Sequence, residues 1–65
     1  MIGQMIKELR KERGLSQEVL ATALNISRAT LANYELNNRQ VPIELVPQFA
    51  NFFGVKIDVL FGRDN

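Results

Sequence analysis

Cysteine and histidine are both absent from this sequence. Their absence excludes a disulfide framework and the usual ligands of a zinc site, so stability has to come from packing. A chain of 65 residues buries only about 60% of the surface its unfolded form exposes, which leaves no room for a second domain and favours a compact helical core. No apolar stretch approaches the ~18 residues of a membrane span. Lys7, Glu8, Arg10 and Lys11 stand where a secretory signal would need its apolar centre, so a cytoplasmic protein without membrane contact is expected. Strand alternation, internal repeats and low-complexity linkers are missing as well. Without His or Cys, acid and base chemistry would fall to Glu8, Glu12, Glu18, Glu35, Glu44, Asp58 and Asp64, and these have no catalytic spacing and no phosphate-binding loop beside them. An enzyme is not expected, nor is a cofactor, a metal or a small-molecule ligand.

Charge of one sign is scarce too, with a net +1. The balance is uneven along the chain. Residues 1–40 carry six basic and four acidic side chains, whereas residues 41–65 carry two and three. The lean is a mild form of the asymmetry expected when one face meets a polyanion. Lys7, Arg10, Lys11 and Arg13 alternate with Glu8 and Glu12 at helical spacing and read as a solvated face.

What is present is an all-α pattern of five short helices, at about 2–13, 17–24, 28–36, 44–53 and 56–61. Ile2, Met5, Ile6 and Leu9 recur at helical spacing, and Gly14 closes the first helix because it takes positive φ without steric cost. Ser16 caps a second helix with a stripe of Val19, Leu20, Ala23 and Leu24, and Ser27 caps a third. The third helix offers Leu31, Tyr34 and Leu36 as its apolar residues, which leaves much of its surface free. Pro47 fits only a first turn, placing the start of the fourth helix near Glu44 or Leu45, with Leu45, Phe49, Ala50 and Phe53 buried and Gly54 closing it. The last helix packs through Ile57 and Leu60. The ending Gly62, Arg63, Asp64 and Asn65 suits either a natural terminus or a cut at a linker.

Two short helices on a tight turn, the second capped by Ser and poor in core residues, form a helix-turn-helix pattern. Counting from Gln17, the fifth position must be small where the helices cross and is Ala21, while the ninth must accept positive φ and is Asn25. Leu20, Leu24, Ile26, Leu31 and Tyr34 fall where the unit meets the core. Through IKELRKERGLSQEVLATALNIS, RATLANYELNNRQVP and FANFFGVKIDVLF, the chain resembles the phage repressor and Cro family of DNA-binding domains over nearly its whole length. The resemblance implies a five-helix domain with its third helix in the major groove of double-stranded DNA. It also implies a transcriptional regulator, a repressor in the first instance, acting as a homodimer on an inverted repeat.

By resemblance, Gln17 corresponds to a phosphate-binding glutamine, Arg28, Ala29 and Asn33 match base-facing positions, and Thr30 lies where base or phosphate is reached. Ser27 belongs to the same contact set as the cap of the reading helix, and Asn37, Asn38 and Arg39 match the loop that grips the next phosphates. Arg10 and Glu35 match a pair that forms an internal salt bridge in some relatives, so Arg10 is left out of the reading set. The physical chemistry of these residues suits those roles. The Arg28 fork can donate twice to guanine O6 and N7, a contact worth about 1–3 kcal/mol of discrimination. Ala29 offers a methyl to thymine, Asn33 suits adenine N6 and N7, and phosphate contacts would set register without carrying sequence information. Asn25 stands in place of the usual turn Gly, Lys56 in place of a small hydroxyl cap, and Leu36, Asn37 and Asn38 in place of a turn containing Gly.

Phe52, Val59 and Phe61 are expected as exposed apolar side chains at a twofold dimer interface formed by the C-terminal helices, with completion of a small core as the alternative. Two other functions compete with the main one. They are a protein-interaction module of the same fold, antitoxin-like or anti-repressor, and the DNA-binding part of a longer regulator.

Overall fold

In the computed structural model, which describes residues 2–62, the chain runs through α1 (Ile2–Glu12), α2 (Gln17–Ala23), α3 (Arg28–Glu35), α4 (Val46–Phe53) and α5 (Ile57–Leu60). No strand occurs among the described residues. Arg63, Asp64 and Asn65 lie outside them.

The first four helices close in one way. Gly14, Asn25, Asn37 and Gly54 sit at φ 67°, 60°, 61° and 68°. Behind each, two amides fold back on the last turn: Gly14 and Leu15 on Lys11 and Arg10, Asn25 and Ile26 on Thr22 and Ala21, Asn37 and Asn38 on Tyr34 and Asn33, and Gly54 and Val55 on Asn51 and Ala50. This is the Schellman arrangement, which gives donors to carbonyls left without an intrahelical partner. Asn tolerates the left-handed region better than other residues with a side chain, so the two Asn stops work without Gly.

The starts differ. Ser16 Oγ accepts from the Val19 amide at 3.1 Å and Ser27 Oγ from the Thr30 amide at 3.0 Å, as N-caps do. Leu45 and Lys56 precede α4 and α5 without a side-chain cap bond. Helix α4 begins two residues later than expected. Leu45 and Val46 bond back to Pro42 and Ile43 in a turn of their own, and Pro47 falls in the first helical turn as its ring requires. Helix α5 is confined to one turn between Lys56 and Phe61.

The core gathers Ile6 and Leu9 from α1, Leu20, Ala21 and Leu24 from α2 and its cap, Leu31 and Tyr34 from α3, Val46, Phe49, Ala50 and Phe53 from α4, and Leu60 from α5. Ala21 is buried at 2% exposure, consistent with the demand for a small residue where α2 and α3 meet. Four apolar residues expected inside are outside: Val19 (52% exposed), Ala23, Ile57 (43%) and Leu36, the α3 cap. In each case the helix is too short to turn every apolar residue inward.

Gly3 brings α1 against the end of α3. A Cβ there would lie 1.8 Å from the Tyr34 carbonyl oxygen and 2.8 Å from Asn37 Oδ1, so only a residue without a side chain permits the approach. The sequence alone does not single out this position. An isolated Gly within a helical pattern was the available signal.

Candidate nucleic-acid interface

Residues from three helices meet where α2 begins. Arg10 lies on the same face of α1 as Ile6 and Leu9 and is buried with them, which a guanidinium tolerates only if it is paired. Its partner is Glu35 at the end of α3, held by a two-pronged bond: Nε donates to Oε2 at 2.7 Å and Nη2 to Oε1 at 3.0 Å. The third nitrogen, Nη1, donates to the Leu15 carbonyl at 2.7 Å, tying down the α1–α2 turn. Exclusion of Arg10 from the reading set therefore has a structural counterpart, for this side chain faces inward.

The network continues outward. Gln17 Nε2 donates to Glu35 Oε1 at 2.9 Å, and Gln17 Oε1 accepts from Arg28 Nη1 at 3.1 Å. Gln17 is half-buried and Arg28 is exposed, so the chain of bonds runs from the core to the surface of α3 in two steps. Ser27 Oγ, besides capping α3, donates to Thr30 Oγ1 at 2.8 Å, and Ala29 is exposed beside them. Ser27, Arg28, Ala29 and Thr30 thus share the start of α3, and Gln17 spans from Arg28 there to Glu35 at the helix's last residue. Every buried side-chain polar atom among the described residues has a partner.

Asn33 is half-buried one turn further along, and its carbonyl accepts from the Asn38 and Arg39 amides at 3.0 and 3.3 Å. Asn37, Asn38 and Arg39 are exposed at the far end of α3. Eight helical residues span about 12 Å. The expected phosphate-gripping loop and the expected base-reading turn therefore stand at opposite ends of α3. Sequence reasoning missed the Gln17–Glu35 bond, because no local pattern connects residues 18 positions apart.

Of the three residues expected at a dimer interface, Phe52 and Phe61 are exposed and Val59 is half-buried. Phe52, 39% exposed, packs edge-on against Phe53 with ring centroids 5.3 Å apart, and the Arg13 guanidinium lies 5.3 Å from the centre of the Phe53 ring. Val59 is half-buried rather than facing away, since the single turn of α5 carries Ile57 outward in its place. Phe61, 52% exposed, lines an open cleft of about 670 Å³ with Ile2, Val41, Pro42, Ile43 and Val46, floored on one side by the Asn37–Gln40 loop. Neither Phe52 nor Val59 borders that cleft. No helix among the described residues is long and apolar enough to cross a membrane.

Two short helices joined through a left-handed Asn, with a small residue at their crossing and the second helix open to solvent, define a helix-turn-helix unit. The chain belongs to the helix-turn-helix family, whose sequence profile matches residues 6–60. It is 33% identical over 63 residues to the HTH-type transcriptional regulator ImmR of Bacillus subtilis, covering 97% of this chain and 50% of that protein. The immunity repressor protein of Bacillus phage phi105 is 33% identical over 63 residues, covering 97% and 44%. The crystal structure of SinR, the master regulator for biofilm formation, in complex with DNA matches with a TM-score of 0.82 at 32% identity, over 94% of this chain and 98% of that one. The chain spans about half the length of the curated relatives it matches. The resemblance to phage repressors seen in the sequence agrees with these relatives, and their family is one of regulators rather than enzymes.

Proposed function

We propose that this chain binds double-stranded DNA sequence-specifically by laying α3 in the major groove, within a transcriptional regulator that represses its target as a homodimer on an inverted repeat. One observation carries the DNA-reading part. Arg28 stands exposed in the first turn of α3 and is held from behind by Gln17, leaving most of its guanidinium donors free for a base edge. Ala29 and Asn33 read neighbouring bases. Ser27, Thr30, the free amide hydrogen of Gln17 and the Asn37, Asn38 and Arg39 loop meet phosphates. Likeness to a regulator solved in complex with DNA supports the same assignment.

Need supports the dimer. One helix reads only a few base pairs, while a genome offers about 10⁶–10⁹ competing sites. Phe61 and Ile43, 77% exposed, flank a cleft that adjoins the Asn37–Arg39 loop. A second copy seated there would keep both reading helices on one side of the duplex.

Selection of sites from random duplex DNA by the purified chain tests the proposal. Enrichment of an inverted repeat with half-site centres about one helical turn apart is expected, with binding that weakens steeply as salt rises. Arg28→Ala should lose the preference at one G·C pair per half-site, and Phe61→Glu should leave half-site binding but lose the paired site. A protein that enriches no sequence at low salt would overturn DNA reading, and an unchanged preference in Phe61→Glu would overturn this dimer surface.

A further inference from the structure

We propose that Glu35 is a positioning residue for base reading, acting through Gln17 on Arg28. The inference rests on Arg28 meeting a base, and deepens that assignment by naming what aims it.

A glutamine amide has two different ends, one accepting and one donating, and rotation by half a turn exchanges them at little cost in shape. At the surface of this molecule the choice has a consequence. With the oxygen outward, Gln17 accepts from the Arg28 guanidinium. With the nitrogen outward, two donors would face each other and Arg28 would turn away.

Glu35 decides between them. An ionised carboxylate only accepts, so the side of Gln17 that faces it has to be the NH₂ group, as the 2.9 Å bond from Nε2 to Oε1 records. Glu35 cannot turn to suit Gln17 instead. Its carboxylate is 2% exposed and is held on both oxygens by Arg10, which is itself anchored on the Leu15 carbonyl. The orientation is therefore passed outward: fixed fork, fixed carboxylate, fixed amide, aimed guanidinium. Charge-assisted bonds at 2.7–3.0 Å make up the inner links. The outer link at 3.1 Å uses one of the five Arg28 donors and leaves the fork able to make a bidentate contact. Freedom that Arg28 would otherwise lose on meeting the base is already lost in the unbound protein.

Two variants separate aiming from folding. Glu35→Gln removes the constraint, because an amide can offer either end to Gln17. Gln17→Leu removes the link at a half-buried position while leaving the Arg10–Glu35 pair in place, so it tests the inference even if Glu35→Gln does not fold. The measurement is competition binding on the selected duplex and on duplexes changed one base pair at a time. Both variants should lose about tenfold in discrimination at the G·C pair that is sensitive to Arg28→Ala, and neither should add to the loss when combined with Arg28→Ala. Loss of the Gln17 phosphate contact lowers affinity equally for all duplexes, so the ratio between duplexes isolates the positioning role. If Arg28→Ala abolishes preference at that pair while Glu35→Gln and Gln17→Leu retain it, the positioning role is overturned and the base-reading role stands. Loss spread evenly over all positions of the half-site would also overturn it, since that pattern marks general loosening of the fold. If Arg28→Ala itself retains every preference, the base-reading role falls and the positioning role with it.

Discussion

Helices α2 and α3 each begin on a serine whose hydroxyl accepts an amide hydrogen bond, whereas α4 begins on Leu45 and α5 on Lys56, which offer none. The same division runs through the interior. Around α2 and α3, a hydrogen-bonded network of Arg10, Glu35, Gln17 and Arg28 reaches from the core to the surface, while Phe49, Ala50, Phe53 and Leu60 hold α4 and α5 by apolar contact. Apolar packing is tolerant of small displacements, but hydrogen bonds lose strength within a few tenths of an ångström or a few tens of degrees. Polar definition is concentrated in the half that the proposed function brings to DNA. In the other half, exposed Phe52, Ile57 and Phe61 are large and unspecific.

The largest effect is expected at Arg10. Arg10→Ala leaves the Glu35 carboxylate buried without its partner and is expected to cost about 3–5 kcal/mol, read as a fall in melting temperature. Pairing Arg10→Met with Glu35→Leu should restore most of that stability, because an apolar pair of similar volume often replaces a buried ion pair without loss. Base discrimination should not return with it. A double variant that regains both would show that base discrimination does not depend on the polar network.

Gly3→Ala should come next, at about 1–3 kcal/mol, because the added methyl meets backbone rather than a movable side chain and α1 has to withdraw from α3. Thermal melting of that variant within error of the parent would mean that the two helices do not approach as closely as described. Ser27→Ala should cost about 1 kcal/mol by removing the α3 cap. The smallest effect has the opposite sign: Lys56→Ser supplies the cap that α5 lacks and should gain up to about 1 kcal/mol. Equal responses at Ser27 and Lys56 would erase the distinction between the two halves.

Much of this architecture was legible locally. Gly14, Ser16, Asn25, Ser27 and Gly54 each act within a few residues, through φ or through one capping bond, so their effect can be read from the neighbouring sequence. The start of α4 was two residues off because Pro47 is acceptable anywhere in a first turn and does not say which. Exposure of Val19 and Ile57, the close passage at Gly3 and the Gln17–Glu35 bond depend on how finished helices dock, which periodicity within one helix does not encode. Arg10 and Glu35 were legible as a pair only through resemblance to repressors, and the cleft that Phe61 lines was not legible at all.

Titrating the chain with its selected duplex while following backbone amide NMR shifts tests whether DNA meets the polar half through α3. The largest shifts are expected at Gln17, at Ser27 to Thr30 and at Asn37 to Arg39, with Phe49, Ala50 and Phe53 in the α4 core moving least. Largest shifts in α4, with Gln17 and Arg28 unmoved, would contradict it.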